Sequence, residues 1–128
     1  MKTYLVDYEN FKQLDLIKDI SHSDEIVIFY TFNARSIELS QIEYLTNKGV
    51  AIKCIEASNG TKNALDFQLD VYLGYLIGQG YSDEYIIVSR DQGFQKAIYI
   101  GEKLGAKVSQ FPLEEDSLYV FDEFDLVG

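Results

Sequence analysis

Residues 85–111 read YIIVSRDQGFQKAIYIGEKLGAKVSQF. The stretch opens on a β-branched and aromatic run (YIIVSR, 85–90), continues through a longer helical pattern (DQGFQKAIYIGEKLG, 91–105) and closes on a second short apolar run (KVSQF, 107–111). Length and β-branched content favour strands for the outer pieces, and Gly105 is a usual helix stop. Strands that are apolar along their length, separated by helices, belong to a parallel sheet covered on both faces.

The same alternation extends upstream. TYLVDY (3–8), EIVIFYTF (25–32) and VAIKCIEA (50–57) read as strands; NFKQLDLIKDI (10–20), SIELSQIEYLTNKG (36–49) and NALDFQLDVYLGYLIGQG (63–80) read as helices. The expected fold is α/β, a three-layer Rossmannoid sandwich around a central parallel five-stranded sheet. It should occupy residues 1–113 as one domain, with 114–128 as an acidic-hydrophobic tail. At 128 residues, 47% hydrophobic and 25% charged, the chain suits one compact domain. Cys54, the only cysteine, lies in a run that reads as buried and has no internal partner, which points to a reducing, cytoplasmic setting. No N-terminal signal is expected, and no apolar run is long enough for a bilayer, so no membrane partner is expected.

The net charge is −10, whereas a passive nucleic-acid binder should be basic. Six of the 21 acids and none of the 11 basic residues lie at or beyond Glu114, so the body holds 15 acids against 11 bases and is only mildly acidic.

In a sheet of this kind, function sits at the carboxyl ends of the strands beside the topological switch point. Three acidic stations fall there. In LVDYEN, Asp7 ends a strand expected to be buried, where an unpartnered carboxylate is costly; Asn10 is expected to N-cap the first helix. In NALDFQLD, Asp66 and Asp70 sit one turn apart. They fill a gap between one apolar face (Leu65, Leu69, Tyr72, Leu73, Leu76) and another (Phe67, Val71, Tyr75) that either covers the sheet or forms a homodimer contact. Like charges at this spacing cost about 0.2–0.5 kcal/mol. Asn63 as an N-cap with Asp66 as its capping-box partner explains Asp66, whereas a divalent cation explains both acids. In IIVSRDQGF, Ser89 ends the fourth strand and Asp91 opens the next helix, where it also suits an N-cap. Carboxylates converging with no basic residue among them are hard oxygen ligands suited to Mg²⁺ or Mn²⁺.

These three segments resemble the motif set of NYN domains in the PIN-like nuclease superfamily. That set has D-x-x-N at the first strand, A-L-D with a further Asp four residues on, and S-x-D-x-x-F at the fourth strand. The likeness runs from Met1 to Phe111. It implies a metal-dependent nuclease, usually acting on RNA, with a site of Asp7, Asn10, Asp66, Asp70 and Asp91, supported by Ser89. Gly93 stands where many members carry another acid, which weakens the case for a second tightly held metal. Glu38 is the only counterpart for a glutamate that other PIN enzymes carry on an earlier helix.

No side chain is an obvious general base. His22, the single histidine, lies in the SHSDE loop at the opposite end of the sheet. The expected function is therefore a metal-dependent phosphodiesterase, an endoribonuclease using metal-activated water on single-stranded RNA. Asp7, Asp66 and Asp91 are the catalytic residues, and Asp70 completes the metal set. Arg35, Lys62 and Arg90 are candidates for holding substrate phosphates. A receiver domain is excluded because the third strand ends in Glu56-Ala57-Ser58 and no lysine follows Phe111. A nucleotide-binding fold lacks its glycine-rich loop. The alternative is a catalytically idle PIN-like scaffold or regulatory module acting through protein or RNA partners. The tail mixes its acids with Leu118, Tyr119, Val120, Phe121, Phe124, Leu126 and Val127. It is expected to dock on its own body, to screen the site, or to bind a protein partner.

Overall fold

A computed structural model describes residues 1–60 and 63–113; the expectations for Lys62 and the 114–128 tail lie outside them. The elements in order are β1 (Lys2–Asp7), β2 (Glu25–Tyr30), α1 (Leu39–Lys48), β3 (Ala51–Glu56), α2 (Ala64–Gln79), β4 (Glu84–Val88), α3 (Gln95–Lys103) and β5 (Val108–Phe111). All four strand pairings are parallel and the sheet order is β3-β2-β1-β4-β5. The expected α/β sandwich is thus present. The chain builds outward from β1 to β3, then crosses back to start β4 on the other side of β1. That reversal makes the carboxyl ends of β1 and β4 the switch point.

Alternate residues of each central strand face opposite layers. Tyr4, Val6, Ile26, Ile28, Ile86 and Val88 pack with Leu45 of α1 and with the 11–20 segment. Leu5, Val27, Phe29, Tyr85 and Ile87 pack with Leu65, Leu69, Leu73 and Leu76 of α2.

Residues 10–20 do not form the expected helix; they hold a single 3-10 turn at Leu14–Leu16. Phe11, Leu14, Ile17 and Ile20 are all buried. A three-residue repeat drifts about 60° per step around an α-helix of 3.6 residues per turn, so an α-helix cannot turn all four inward. Tighter and irregular backbone can. Asn10 therefore caps no helix. The second expected helix starts only at Leu39, and Gly49 stops it in the left-handed conformation with φ of 70°. β3 is an edge strand exposed along most of its length, so Cys54 is exposed rather than buried. Apolar content did not distinguish an edge strand from a central one. Among the described residues no helix is long and apolar enough to cross a membrane.

Helix α3 lies close against β5 at Gly101, where a Cβ would stand 2.8 Å from Val108 Cγ2 and 3.4 Å from Ile77 Cδ1. Gly101→Ala should therefore destabilise the fold by about 1–3 kcal/mol through overpacking, although alanine is the better helix former. Urea denaturation of the two proteins measures this; equal or higher stability in the variant would show that the α3–β5 contact relaxes freely.

Candidate metal centre

Asp7 is the last residue of β1 and is fully buried, because β2 and β4 flank its strand and both layers cover it. Its Oδ2 accepts hydrogen bonds from Asn10 Nδ2 at 2.8 Å and Ser89 Oγ at 2.9 Å. Its Oδ1 is buried and has no hydrogen-bond partner. The backbone N–H groups of Asn10 and Phe11 both donate to the Asp7 carbonyl. This turn aims the Asn10 amide at the carboxylate, which is the role that replaces the expected helix cap.

Ser89 follows β4 and links two stations, donating to Asp7 and accepting from the Asp91 N–H at 3.0 Å. Asp91 does act as a cap, to the 3-10 turn Gln92–Phe94, with Oδ1 accepting from the Gly93 N–H at 2.8 Å. Asp66 lies in the first turn of α2. Asn63 before it adopts the left-handed conformation at φ 76° and makes no side-chain cap bond. The capping-box explanation of Asp66 therefore fails.

One carboxylate oxygen from each of Asp7, Asp66 and Asp91 lies within 4.8 Å of the others. Burial foremost, then the charge of Asp7, a hydrogen bond to Asp91 and the charges of Asp91 and Asp70, push the Asp66 carboxyl up to about 7. Burial also raises Asp7, against the pull of its bonds from Asn10 and Ser89. Two such raised carboxyls beside a third at this spacing are relieved by a cation, and Asp7 keeps one buried oxygen with no hydrogen-bond partner. Gly93 leaves room there, since a Cβ on it would meet Asp91 Oδ1 at 3.2 Å and Asp66 Oδ2 at 3.9 Å.

Asp70 stands outside this trio. At 1.5 Å rise per residue, four residues carry it about 6 Å down α2, away from the sheet edge. Its Oδ1 is buried without a partner, and burial pushes its carboxyl up to about 6. The cleft beside Asp66 and Asp91 has a volume of about 380 Å³ and is lined also by Glu9, Asn10, Asn33, Asn59 and Asn63; Asp7 is buried and does not line it. Arg35 and Arg90 do not line it: their guanidinium groups lie over the rings of Phe32, at 4.2 Å, and Phe11, at 5.2 Å. Glu38 precedes α1 and is also absent from the cleft lining. His22 is exposed beside Gly49, at the amino end of the sheet.

Two glutamines were missed. Gln110 on β5 donates to the carbonyls of Ser89 at 2.7 Å and Asp91 at 2.8 Å, clamping the loop that carries Asp91. Gln68 on α2 binds the Ser58 N–H at 2.8 Å and the Ser58 carbonyl at 3.2 Å, fixing the far wall. An amide inside the buried run KVSQF was the available signal for the first.

The raised Asp66 carboxyl has a consequence for stability. As pH rises, the unfolded chain gives up this proton near 3.8 while the folded chain keeps it to about 7. The folded state thus holds more protons across that window, and stability falls with rising pH. In EDTA the melting temperature should decline between pH 4 and 7 from this group, and Asp66→Asn should flatten the decline and melt higher at pH 7.5. Calorimetry across pH on both proteins reads this; parallel curves would remove Asp66 as the cause.

A family model described as the PIN domain matches residues 1–111. A search among curated proteins finds none that matches the chain. The matched span takes in every strand of the parallel sheet and all three stations that meet at its switch point, and on that ground the chain belongs to the PIN domain family.

Proposed function

We propose that this PIN domain is an endoribonuclease of the NYN branch that hydrolyses single-stranded RNA with Mg²⁺ or Mn²⁺. PIN domains are generally metal-dependent nucleases, and the D-x-x-N, A-L-D-x-x-x-D and S-x-D-x-x-F segments support the finer assignment. The single observation that carries the reading is the convergence of one carboxylate oxygen from each of Asp7, Asp66 and Asp91 to within 4.8 Å of one another, with no salt bridge to any of the three among the described residues.

Asp7, Asp66 and Asp91 would hold the cation. Bound there, it supplies acidification of water and neutralisation of charge on a phosphoryl oxygen. The chain's own residues prepare this. Asn10 and Ser89 both donate to Oδ2 of Asp7 and leave Oδ1 without a protein partner. Gln110 holds the Asp91 loop against β5. Asp70 adds negative charge behind Asp66. Arg35 and Arg90 are proposed to meet phosphates away from the reacting centre, and Lys62 is proposed for the same role from its place in the sequence.

Mn²⁺ should raise the melting temperature, by the equivalent of about 2.7 kcal/mol at one hundred times its Kd, and Asp66→Asn should abolish the shift. A wild-type melting curve that millimolar Mn²⁺ leaves in place would refute the metal assignment.

Single-stranded RNA should be cleaved in Mg²⁺ or Mn²⁺ and protected by EDTA. Asp7→Asn and Asp91→Asn should each lose more than about 100-fold in kcat/KM, exceeding the roughly 10–100-fold expected when Asn10→Ala or Ser89→Ala removes a group that only orients a ligand. If metal binds and no RNA or DNA is cut, the idle-scaffold reading replaces this one.

A further inference from the structure

The chain carries a net charge of −10 and its cleft is acidic, so attraction of phosphates supplies little of the affinity that a single strand needs. Thr31–Ala34, immediately after β2, offers another source. The Ala34 N–H donates to the Thr31 carbonyl at 3.0 Å, closing a tight turn with Phe32 and Asn33 at its corners. Thr31 Oγ1 donates to Glu9 Oε2 at 2.7 Å, tying this turn to the loop that follows Asp7. Asn33 lines the cleft with Asp66 and Asp91. Phe32 beside it is 53% exposed.

Single exposed apolar residues are ordinary, but Phe32 combines three features. It sits on a pinned turn continuous with the cleft wall. The Arg35 guanidinium lies 4.2 Å from its ring centroid. Among the described residues, Arg35 forms no salt bridge. An aromatic ring with a stacked guanidinium is the surface on which unpaired bases stack.

We propose that Phe32 and Arg35 form a stacking platform for the base of a nucleotide flanking the scissile phosphate. This site takes an unpaired base of any identity, since every base has a π-face, and it confers selectivity for single strands. A paired base is already stacked in its helix and is not free to lie on the ring. The proposal deepens the nuclease reading and rests on it for the position of the scissile bond, though not for the stacking itself.

The experiment uses the full chain and single-stranded RNA carrying 2-aminopurine or an abasic residue, scanned along the strand. Wild type should quench 2-aminopurine at one position beside the cleavage point. Phe32→Ala should lose that quench and raise KM about 10-fold. Phe32→Tyr should keep both, and Phe32→Leu should resemble Phe32→Ala. Phe32→Ala should weaken binding equally at all salt concentrations, whereas Arg35→Ala should also reduce the salt slope, by about 0.7. An abasic residue at the quenched position should erase the difference between wild type and Phe32→Ala. If wild type cuts nothing yet quenches through Phe32, the nuclease reading fails and the platform stands. Equal quenching and KM in wild type and Phe32→Ala, with both folded by circular dichroism, would overturn the platform.

Discussion

A carboxylate at the end of a strand flanked and covered on every side must be held by something, and here only one of its two oxygens is held. Asn10 and Ser89 bind Oδ2 of Asp7, while Oδ1 is buried without a partner. The Ser89 bond spans the switch point, joining the β1–β3 half of the sheet to the β4–β5 half. Through the Asp91 N–H the same hydroxyl sets the third station. Removing Ser89 would leave a buried charge less satisfied and take away the side-chain bond that joins the two halves at this edge.

The chain also contains a counter-example at the other end of the sheet. Asp24 is buried, yet it accepts from the Lys2 N–H at 2.9 Å and the Ser21 N–H at 3.0 Å, and pairs with Lys2 Nζ at 3.7 Å. Burial raises its carboxyl, but these partners outweigh that effect and hold it below the usual value. This is how the fold satisfies an acid whose work is structural. At the carboxyl edge the balance is reversed: the bonds to Asp7 do not outweigh burial, which lifts both Asp7 and Asp66, and among the described residues no cationic side chain pairs with either. A difference in environment between two buried aspartates of one small domain separates support from chemistry more sharply than residue type does.

Much of the architecture was legible because strand and helix periodicities differ and the β-branched runs are unambiguous. The convergence of Asp7, Asp66 and Asp91 was legible because strand ends in a parallel sheet share an edge. What escaped depends on information a local pattern lacks. The buried spacing of Phe11, Leu14, Ile17 and Ile20 is three, close enough to 3.6 to imitate a helix over two turns. Exposure of β3 follows from strand order, which apolar content does not encode. Asn63 and Asn10 both suit a cap by residue type, and only backbone angles and partners disqualify them. Gln110 acts on carbonyls about twenty residues away, a distance beyond any motif. Arg35 and Arg90 were near the right edge by chain position, but aromatic rings direct their guanidinium groups.

The edge position of β3 has a further cost. Among the described residues β3 pairs on one side only, with β2, so its other side presents a row of backbone donors and acceptors to whatever strand arrives. Lys53 and Glu56 stand on that strand as charges that discourage unplanned pairing. Cys54 works against them, because its exposed thiol can turn a brief edge-to-edge encounter between two copies into a covalent one. Under oxidising conditions the weak flank of this molecule is therefore the strand farthest from β5, and the tendency to cross-link there is built into the strand order.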